Sequence, residues 1–502
     1  MASTSLTGVA VVAFAVYWAG LVLYRLFLHP LAKFPGPRLA AITPWYEAYY
    51  EIIRNGQYSK KISQLHDQYG PIVRVTPGEL HIRDSRFFES VYPKNVHLHK
   101  EGWDKRFGSE GGLLPTPDAQ VHKRRRAALS PMFSRRSIIE FIHIIHRHVE
   151  TFATRMQEFE GRKEPLNLTH AFPALTGDII MDYFFGFNYA QLKNPEFASF
   201  HEAFIKIGST GHVATQFPAI FPIMNSIPDG ITAWLQPAAE PLLKFKRDQR
   251  EVIARTLRGD DVKVNDAQKT IFQEILGSKQ LPPEDKTQQR LEDEAQIVIG
   301  GGVETTAFAL GIAAFHIINK PEIYKRLHAD LVKAFPNRAT LELQSLEQMP
   351  YLRACIMEAV RMGYGLSARN PRTHDKPLHY KEWIIPAGTC ISQSIPDVSH
   401  DEALFPQSRE FIPERWLDDP KTSDGIPLDR FMVSFGRGTR SCLGITLAWT
   451  ELYLTLGMMF RRFKFELFEA DVTDVEMAHD YFIPVTSLKS KGVRVFVTSA
   501  AD

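Results

Sequence analysis

At 502 residues, with 44% hydrophobic and 11% aromatic residues, the chain carries enough apolar side chain for a large core. A formal net charge of +2 gives no reason to place nucleic acid among its partners. Its three cysteines, Cys355, Cys390 and Cys442, are odd in number and widely spaced, which excludes a disulfide framework and a zinc site and implies a reducing compartment.

Residues Leu6 to Leu28 are the one segment of membrane length, apolar apart from Thr7 and Arg25. Arg25 lies near its end, where it can snorkel, and Tyr17, Trp18 and Tyr24 are aromatics of the kind that anchor spans. No Lys or Arg precedes the span, whereas Lys33 and Arg38 follow it. That asymmetry predicts an N-terminus across the membrane and a cytosolic C-terminal part. A cleaved signal peptide is disfavoured, because it needs a basic start and a shorter apolar run. Pro30, Pro35, Gly36 and Pro37 then read as a stiff, non-helical connector. The expected division is an anchor over 1–32, with the span at about 6–28, and a second part over 33–502.

Ile72-Val73-Arg74-Val75 and Leu80-His81-Ile82 flank Pro77-Gly78 and predict a short hairpin. Residues Gly102 to Gln120, with four glycines, read as a mobile loop. Helical patterns run from Val121 to Ser130 and from Ser137 to Phe159. A segment rich in Pro and aromatics, Gly208 to Gly230, separates two further helices, and Phe217, Pro218, Phe221 and Pro222 either dip into a membrane or pack on the domain. Glu292 to Asn319 is a long, mostly apolar helix that Pro321 stops. Leu378 to Ser394 reads as short strands with a turn at Pro386-Ala387-Gly388, and Phe482 to Val497 as another strand pair. Asn167-Leu168-Thr169 matches a glycosylation acceptor, an incidental match if this part is cytosolic.

The chemistry concentrates in Phe435-Gly436-Arg437-Gly438-Thr439-Arg440-Ser441-Cys442-Leu443-Gly444. A cysteine before a helix is readily deprotonated by unpaired N–H groups, and Arg440 adds positive charge. Such a thiolate suits a soft metal centre; a buried free cysteine in a tight turn is the alternative for the loop taken alone. Gly301-Gly302-Val303-Glu304-Thr305-Thr306 breaks helix rules in mid-helix, at about 1 kcal/mol for each glycine relative to Ala. Either the site is functional or the glycines make a close helix–helix contact with Thr305 bonding back to a carbonyl. Glu358-Ala359-Val360-Arg361 puts an acid and a base on one helix face.

The pattern F-x-x-G-x-R-x-C-x-G, with the acid-Thr segment, E-x-x-R and Phe411-Ile412-Pro413-Glu414-Arg415-Trp416 in order, resembles the cytochrome P-450 superfamily of haem-thiolate monooxygenases. The resemblance covers roughly 33–502. It implies a mainly α fold with a minor β region, in which haem b (iron protoporphyrin IX) sits between the long helix and the Cys loop. Cys442 becomes the axial ligand and the one sulfur ligand to iron. Phe435, Gly438 and Gly444 become cofactor-binding residues of the loop, while Arg440, Arg372, His122 and Arg126 are candidates for the propionates. His122 stands where many relatives have Trp. Thr305 becomes the hydrogen-bond partner of dioxygen and Glu304 a relay of protons from water. Glu358, Arg361 and Arg415 become a buried structural triad, with Trp416 where the family has Phe. The substrate pocket is expected at Phe107, Leu113, Leu114, Ile297, Gly301, Leu366, Ala368, Ile483 and Val485.

The chain has no flavin or nicotinamide fingerprint, so the resemblance implies an external electron source. The implied partners are NADPH-cytochrome P-450 reductase, cytochrome b5, the membrane and an apolar small molecule, with NADPH and O2 as co-substrates. Lys123, Arg124, Arg125, Arg437, Arg461 and Arg462 are expected to form the docking patch for the reductase. The anchor, Tyr24 to Leu31, Phe34-Pro35-Gly36-Pro37 and Ala174 to Ile180 resemble fungal microsomal members, nearest to the trichodiene oxygenase-like group of secondary metabolism. This implies a single-pass protein of the endoplasmic reticulum membrane with a cytosolic catalytic domain, acting on a terpenoid, polyketide or alkaloid intermediate. A haem-thiolate isomerase or dehydratase that does not use O2 is the rival enzyme; Glu304-Thr305 argues against it. A membrane haem-binding protein without turnover is the third reading.

Overall fold

The computed structural model of the chain describes residues 2–260, 269–338 and 341–499. The elements that matter for function are, in chain order, helix α1 (Ala2–Leu23), strands β1 (Ile72–Arg74) and β2 (Glu79–Ile82), helices α2 (Ala119–Leu129), α3 (Leu168–Ile180), α4 (His201–Gln216), α5 (Gln288–Asn319) and α6 (Pro350–Gly363), strands β3 (Arg372–Thr373) and β4 (Cys390–Ser392), and helix α7 (Ile445–Arg462). Helices dominate and the sheets are small, as the sequence predicts.

α1 continues into a wide turn over Tyr24–Leu28. The span Thr7–Leu28 has a mean hydropathy of 1.9 and none of it is buried in the protein, so it is a candidate membrane helix. Arg25, at the end of the span, finds partners in the protein. Its Nη1 donates to the Ile42 carbonyl at 2.6 Å, and its own carbonyl accepts from Arg74 at 2.8 Å. The root of the span is thereby tied to the body, because a guanidinium has five donors to satisfy and carbonyls are at hand.

α5 is the axis of the molecule. Thr287 caps its start by accepting from Arg290 N, and Pro321, which has no N–H, begins the next helix. α3 crosses it closely. A Cβ on Gly302 would lie 2.5 Å from Ile180 Cδ1, and Thr176 Oγ1 donates to Val303 O at 3.0 Å. Gly301 has open space on its side-chain face. The two glycines therefore do different jobs: Gly302 admits a neighbouring helix and Gly301 leaves room for something else.

The predicted hairpin is β1–β2, with Val73 opposite His81. It extends into a four-stranded sheet of order β1-β2-β4-β3, in which β2 and β4 run parallel. Four expectations change. Ser137 to Phe159 is two helices, Arg135–Glu140 and Ile142–Gln157, broken at Phe141. Gly208 to Gly230 is mostly helical, since α4 runs on to Gln216 and Ile220–Ser226 and Asp229–Leu235 follow. The tail strands do not pair with each other. Ile483–Val485 pairs with His479–Tyr481, and Arg494–Ser499 with Phe463–Leu467. Period-two alternation identifies a strand without naming its neighbour. The Gly-rich loop is irregular but held: Asp293 accepts from Gly111 N at 2.7 Å and Glu294 from Leu113 N at 3.1 Å.

Candidate active site

A cavity of about 330 Å³ lies between the middle of α5 and the cysteine loop. Cys442 lines one side; Gly301 and Thr305 line the other. The loop is shaped by backbone contacts that only glycine allows. Gly438 has φ +76°, and a Cβ there would lie 2.7 Å from the carbonyls of both Tyr92 and Pro93. Cys442 N–H donates to Phe435 O at 2.8 Å, and Phe435 leans on Trp449 at 6.2 Å between ring centroids. Ser434 Oγ donates to Val360 O at 2.8 Å, which joins the loop to α6. Gly438→Ala is expected to displace the loop and lower cofactor content in the purified protein; wild-type content in that variant would refute the packing argument.

Gly444 caps α7, and its N–H favours the Cys442 thiolate, as does Arg126. Burial nevertheless outweighs both and pushes the thiol above its ordinary value. The helix-end effect expected from the sequence is present but too small alone. A metal cation bound to the sulfur would make the thiolate the stable form. Cys355 is buried in α6, and Cys390 lies on β4.

At one end of the cavity the structure gathers positive charge. Arg126 and Arg440 line it there, together with Lys100, which sequence reasoning missed, and Arg372, which does not line the cavity, lies close enough behind to act on Lys100, His122 and Arg440. Lys100 is 3% exposed, and its Nζ donates to Leu114 O. Among the described residues none of these four cations has a carboxylate ion-pair partner. His122 sits in their midst, 4% exposed, with Nδ1 buried and unpartnered. Burial, followed by Arg440, Lys100, Arg126 and Arg372, pushes its imidazole down to about 2, so it is neutral. Burial also lowers Arg440 to about 9 and Arg372 to about 10. Buried like charges of this kind need an anion. A soft sulfur donor facing the cavity, with Lys100, Arg126, Arg440 and a free imidazole nitrogen at one end and Arg372 behind them, fits haem with its two carboxylates. Arg440 already donates to the carbonyls of Leu98, Thr116 and Pro117 at 2.7–3.0 Å, so it braces the loop as well as charging it.

The triad forms as expected. Arg361 donates twice to Glu358, at 2.8 Å each, and Arg415 Nε donates to Glu358 Oε1 at 2.9 Å. The Ile412 N–H and the Trp416 indole N–H, at 3.1 and 2.8 Å, complete the shell around Glu358. Trp416 thus adds a hydrogen bond that Phe cannot make. Burial works against the Glu358 carboxylate, yet Arg361 and Arg415 hold it below its ordinary range.

Thr305 Oγ1 donates back to Gly301 O at 2.9 Å, the bond of the structural alternative, and the residue also lines the cavity. Glu304 has a partner the sequence did not disclose. It is 5% exposed and accepts a 2.7 Å hydrogen bond from His201 Nδ1 on α4. No motif flags His201; its sequence neighbourhood is ordinary helix.

Of the expected pocket residues, Phe107, Leu113, Leu114, Ile297, Gly301, Leu366 and Ile483 line the cavity. Ala368 does not, being packed against Trp103 and Phe482, and Val485 faces a second cavity instead. Phe133, Phe184, Phe204 and Leu242 are walls that the sequence did not disclose. The basic patch shrinks. Arg461 is 1% exposed and donates to the carbonyls of Phe335 and Pro336, while Arg462 is paired with Glu150 and Arg125 with Asp285. Arg437 bonds the carbonyls of Asp429 and Arg430. Lys123 and Arg124 remain exposed, Arg124 lying 3.7 Å from Asp285. Phe221 is 7% exposed and packs over Gly108, whereas Phe217 is 43% exposed and leans on Trp45. Trp45, Ile223, Ile231, Trp234 and Leu235 are also exposed apolar side chains.

Comparison with known proteins places the whole chain in one family. A family model described as Cytochrome P-450 matches residues 37–490. Cytochrome P-450 monooxygenase sdnE of Sordaria araneosa is 41% identical over 513 residues, covering 99% of each chain. Tryptophan 6-hydroxylase fscE of Fusarium equiseti is 36% identical, covering 98% of this chain and 96% of its own. Cytochrome P-450 monooxygenase TRI4 of Fusarium sporotrichioides is 34% identical, covering 94% and 91%.

Proposed function

We propose, from the premise that this chain belongs to the cytochrome P-450 family and is a haem monooxygenase, that it inserts one atom of O2 into a compact apolar molecule of fungal secondary metabolism. The observation that carries the reading is the meeting, in one cavity, of the Cys442 sulfur, the carboxylate-free cations and Thr305. Cys442 would hold the iron of haem b, while Lys100, Arg126, Arg372, Arg440 and His122 would hold its carboxylates. When bound, haem with a thiolate ligand supplies reductive cleavage of the O–O bond and oxidation of a C–H bond. The chain does the rest. Phe107, Leu113, Phe184, Phe204, Ile297 and Ile483 exclude water and present the substrate to the open face of Gly301. Thr305 offers a hydroxyl where a proton is needed, and Glu304 backs it.

The apolar walls favour a terpenoid, polyketide or alkaloid skeleton over a charged metabolite. The tryptophan 6-hydroxylase among the relatives is named for an amino acid outside that range, so the apolar walls carry this reading. Electrons would come from NADPH through NADPH-cytochrome P-450 reductase, with cytochrome b5 as a second donor. Exposed Lys123 and Arg124 are the docking residues we retain from the expected patch. The candidate span and the exposed Trp45, Phe217, Ile223, Ile231 and Trp234 would seat the protein on the endoplasmic reticulum membrane, catalytic domain in the cytosol.

Thr305→Ala tests the reading. Because positioned proton transfer typically contributes about 10²–10⁴-fold, the variant should consume NADPH while releasing peroxide instead of product. An unchanged ratio of product to NADPH would overturn the role of Thr305. Incubating membranes bearing the enzyme with reductase, NADPH and an extract of host metabolites, and searching by mass spectrometry for gain of one oxygen, identifies the substrate.

A further inference from the structure

Glu304 has one satisfied oxygen and one orphan. Oε2 is held by His201 Nδ1 at 2.7 Å, while Oε1 is buried and has no hydrogen-bond partner among the described residues. Glu304 and Thr305 also line two cavities at once. One is the apolar cavity over Cys442; the other, of about 350 Å³, is walled by α3, α4 and the C-terminal segment. The second is the polar one. Thr169, His170, His201, Asp474, Ser490 and Lys491 line it, and it reaches solvent, since His170 is exposed and the Lys491 side chain is 72% exposed. Solvent and substrate thus approach the same Glu304-Thr305 step from different sides.

We propose that this second cavity is the proton inlet of the reaction, and that His201 is the residue that passes each proton to Glu304. The proposal rests on the reading of Thr305 and Glu304 given above. Solvent in the cavity protonates His201 at Nε2, and the imidazolium gives its Nδ1 proton to Glu304 Oε2. A half-turn of the neutral carboxyl group carries that proton to the position of the unpartnered Oε1, from which it leaves toward Thr305 and the reacting oxygen. Glu304 returns to carboxylate, and a ring flip resets His201, whose side chain is 24% exposed and has room to turn. One proton enters and one leaves, with no net change in charge.

The groups facing His201 suit this task. Glu304 faces it from α5, Glu202 from its own helix and His170 from α3, its ring centroid 6.3 Å away; Asp474 and Lys491 stand in the cavity. Burial disfavours the imidazolium of His201, but the charge and hydrogen bond of Glu304 outweigh it and raise the ring above its ordinary value. Burial, then the neighbouring His201, lowers His170, with Glu202 and Glu196 acting oppositely. Proton affinity therefore rises inward, from the exposed ring to the one against Glu304.

The rival role for His201 is a pin between α4 and α5, and His201→Gln separates the two. An amide can hold Glu304 by a hydrogen bond but cannot carry a proton. As a relay, the Gln variant should lose about 10-fold in product per NADPH, the balance appearing as peroxide. The wild-type ratio should fall as pH rises past the titration of His201, and the variant's should be flat. Turnover driven by hydrogen peroxide, which needs no proton from the inlet, should be the same in both. In the resting enzyme, 15N NMR should show His201 titrating lower in Glu304→Gln than in wild type. Wild-type coupling in His201→Gln, equal loss with peroxide, or an unmoved NMR titration would each overturn the relay. If Thr305→Ala uncouples and His201→Gln does not, only the relay fails; if neither uncouples, the reading beneath it fails too.

Discussion

Replacing Cys442 by Ala or His is expected to abolish the strongly red-shifted Soret band of the reduced carbon monoxide complex, and product formation with it. That band requires a thiolate on iron, and Cys442 is the cysteine facing the cavity. Cys355 lies in α6 with its thiol pushed far up by burial, and Cys390 is on a strand, so neither can substitute. Pigment should remain in part, because Lys100, Arg126, Arg372 and Arg440 would still be there to hold the cofactor's carboxylates. Retained pigment with a shifted spectrum separates loss of the ligand from loss of the fold. Cys355→Ala serves as the control and should keep the wild-type band. A red-shifted band persisting in Cys442→Ala would show that another sulfur binds the iron.

The ligand loop was legible in the sequence because its chemistry is local: ten consecutive residues hold the sulfur, the glycines and the arginine. The long helix and its stop were legible for the same reason, apolar residues ending at Pro321. What was hidden is what depends on distant partners. Lys100 is a lone lysine in an unremarkable stretch; only folding surrounds it with Arg372, Arg440 and His122. His201 gains its meaning from Glu304, 103 positions away. Arg461 and Arg462 read as surface charge because basic residues at a helix end are commonly solvated. Their guanidinium groups instead satisfy the carbonyls at Phe335, Pro336 and Arg338. The segment over 208–230 misled through composition. Its prolines and aromatics suggested a loop, yet Pro222 lies within a short helix that buries Phe221 and turns Ile223 and Met224 outward, where tertiary context and not propensity decides.

Glu358→Gln is expected to destabilise the catalytic domain by about 3–5 kcal/mol, the usual cost of breaking a buried ion pair from one side. The shape of the side chain is kept, so packing is not the cause. Two guanidinium groups, Arg361 at 1% and Arg415 at 8% side-chain exposure, would be left without their anion. The loss should reach the active site, because α6 also holds the cysteine loop through Val360 O and Ser434. Cofactor should therefore dissociate at lower denaturant than is needed to melt the helices, whereas in the wild type the two transitions should lie closer together. Trp416→Phe removes one donor to Glu358 and leaves both arginines in place. It should cost only about 1–3 kcal/mol, the penalty for an unmet buried hydrogen bond. Acid acts on the same group. Since the folded-state Glu358 titrates below the ordinary glutamate range, its contribution is full above that range and is lost as pH falls through the lower folded value. The wild type should accordingly release cofactor on acidification at a pH below the ordinary glutamate range, and the Gln variant should show no such step from this site. Equal denaturant midpoints for Glu358→Gln and wild type would mean that the triad does not hold the loop.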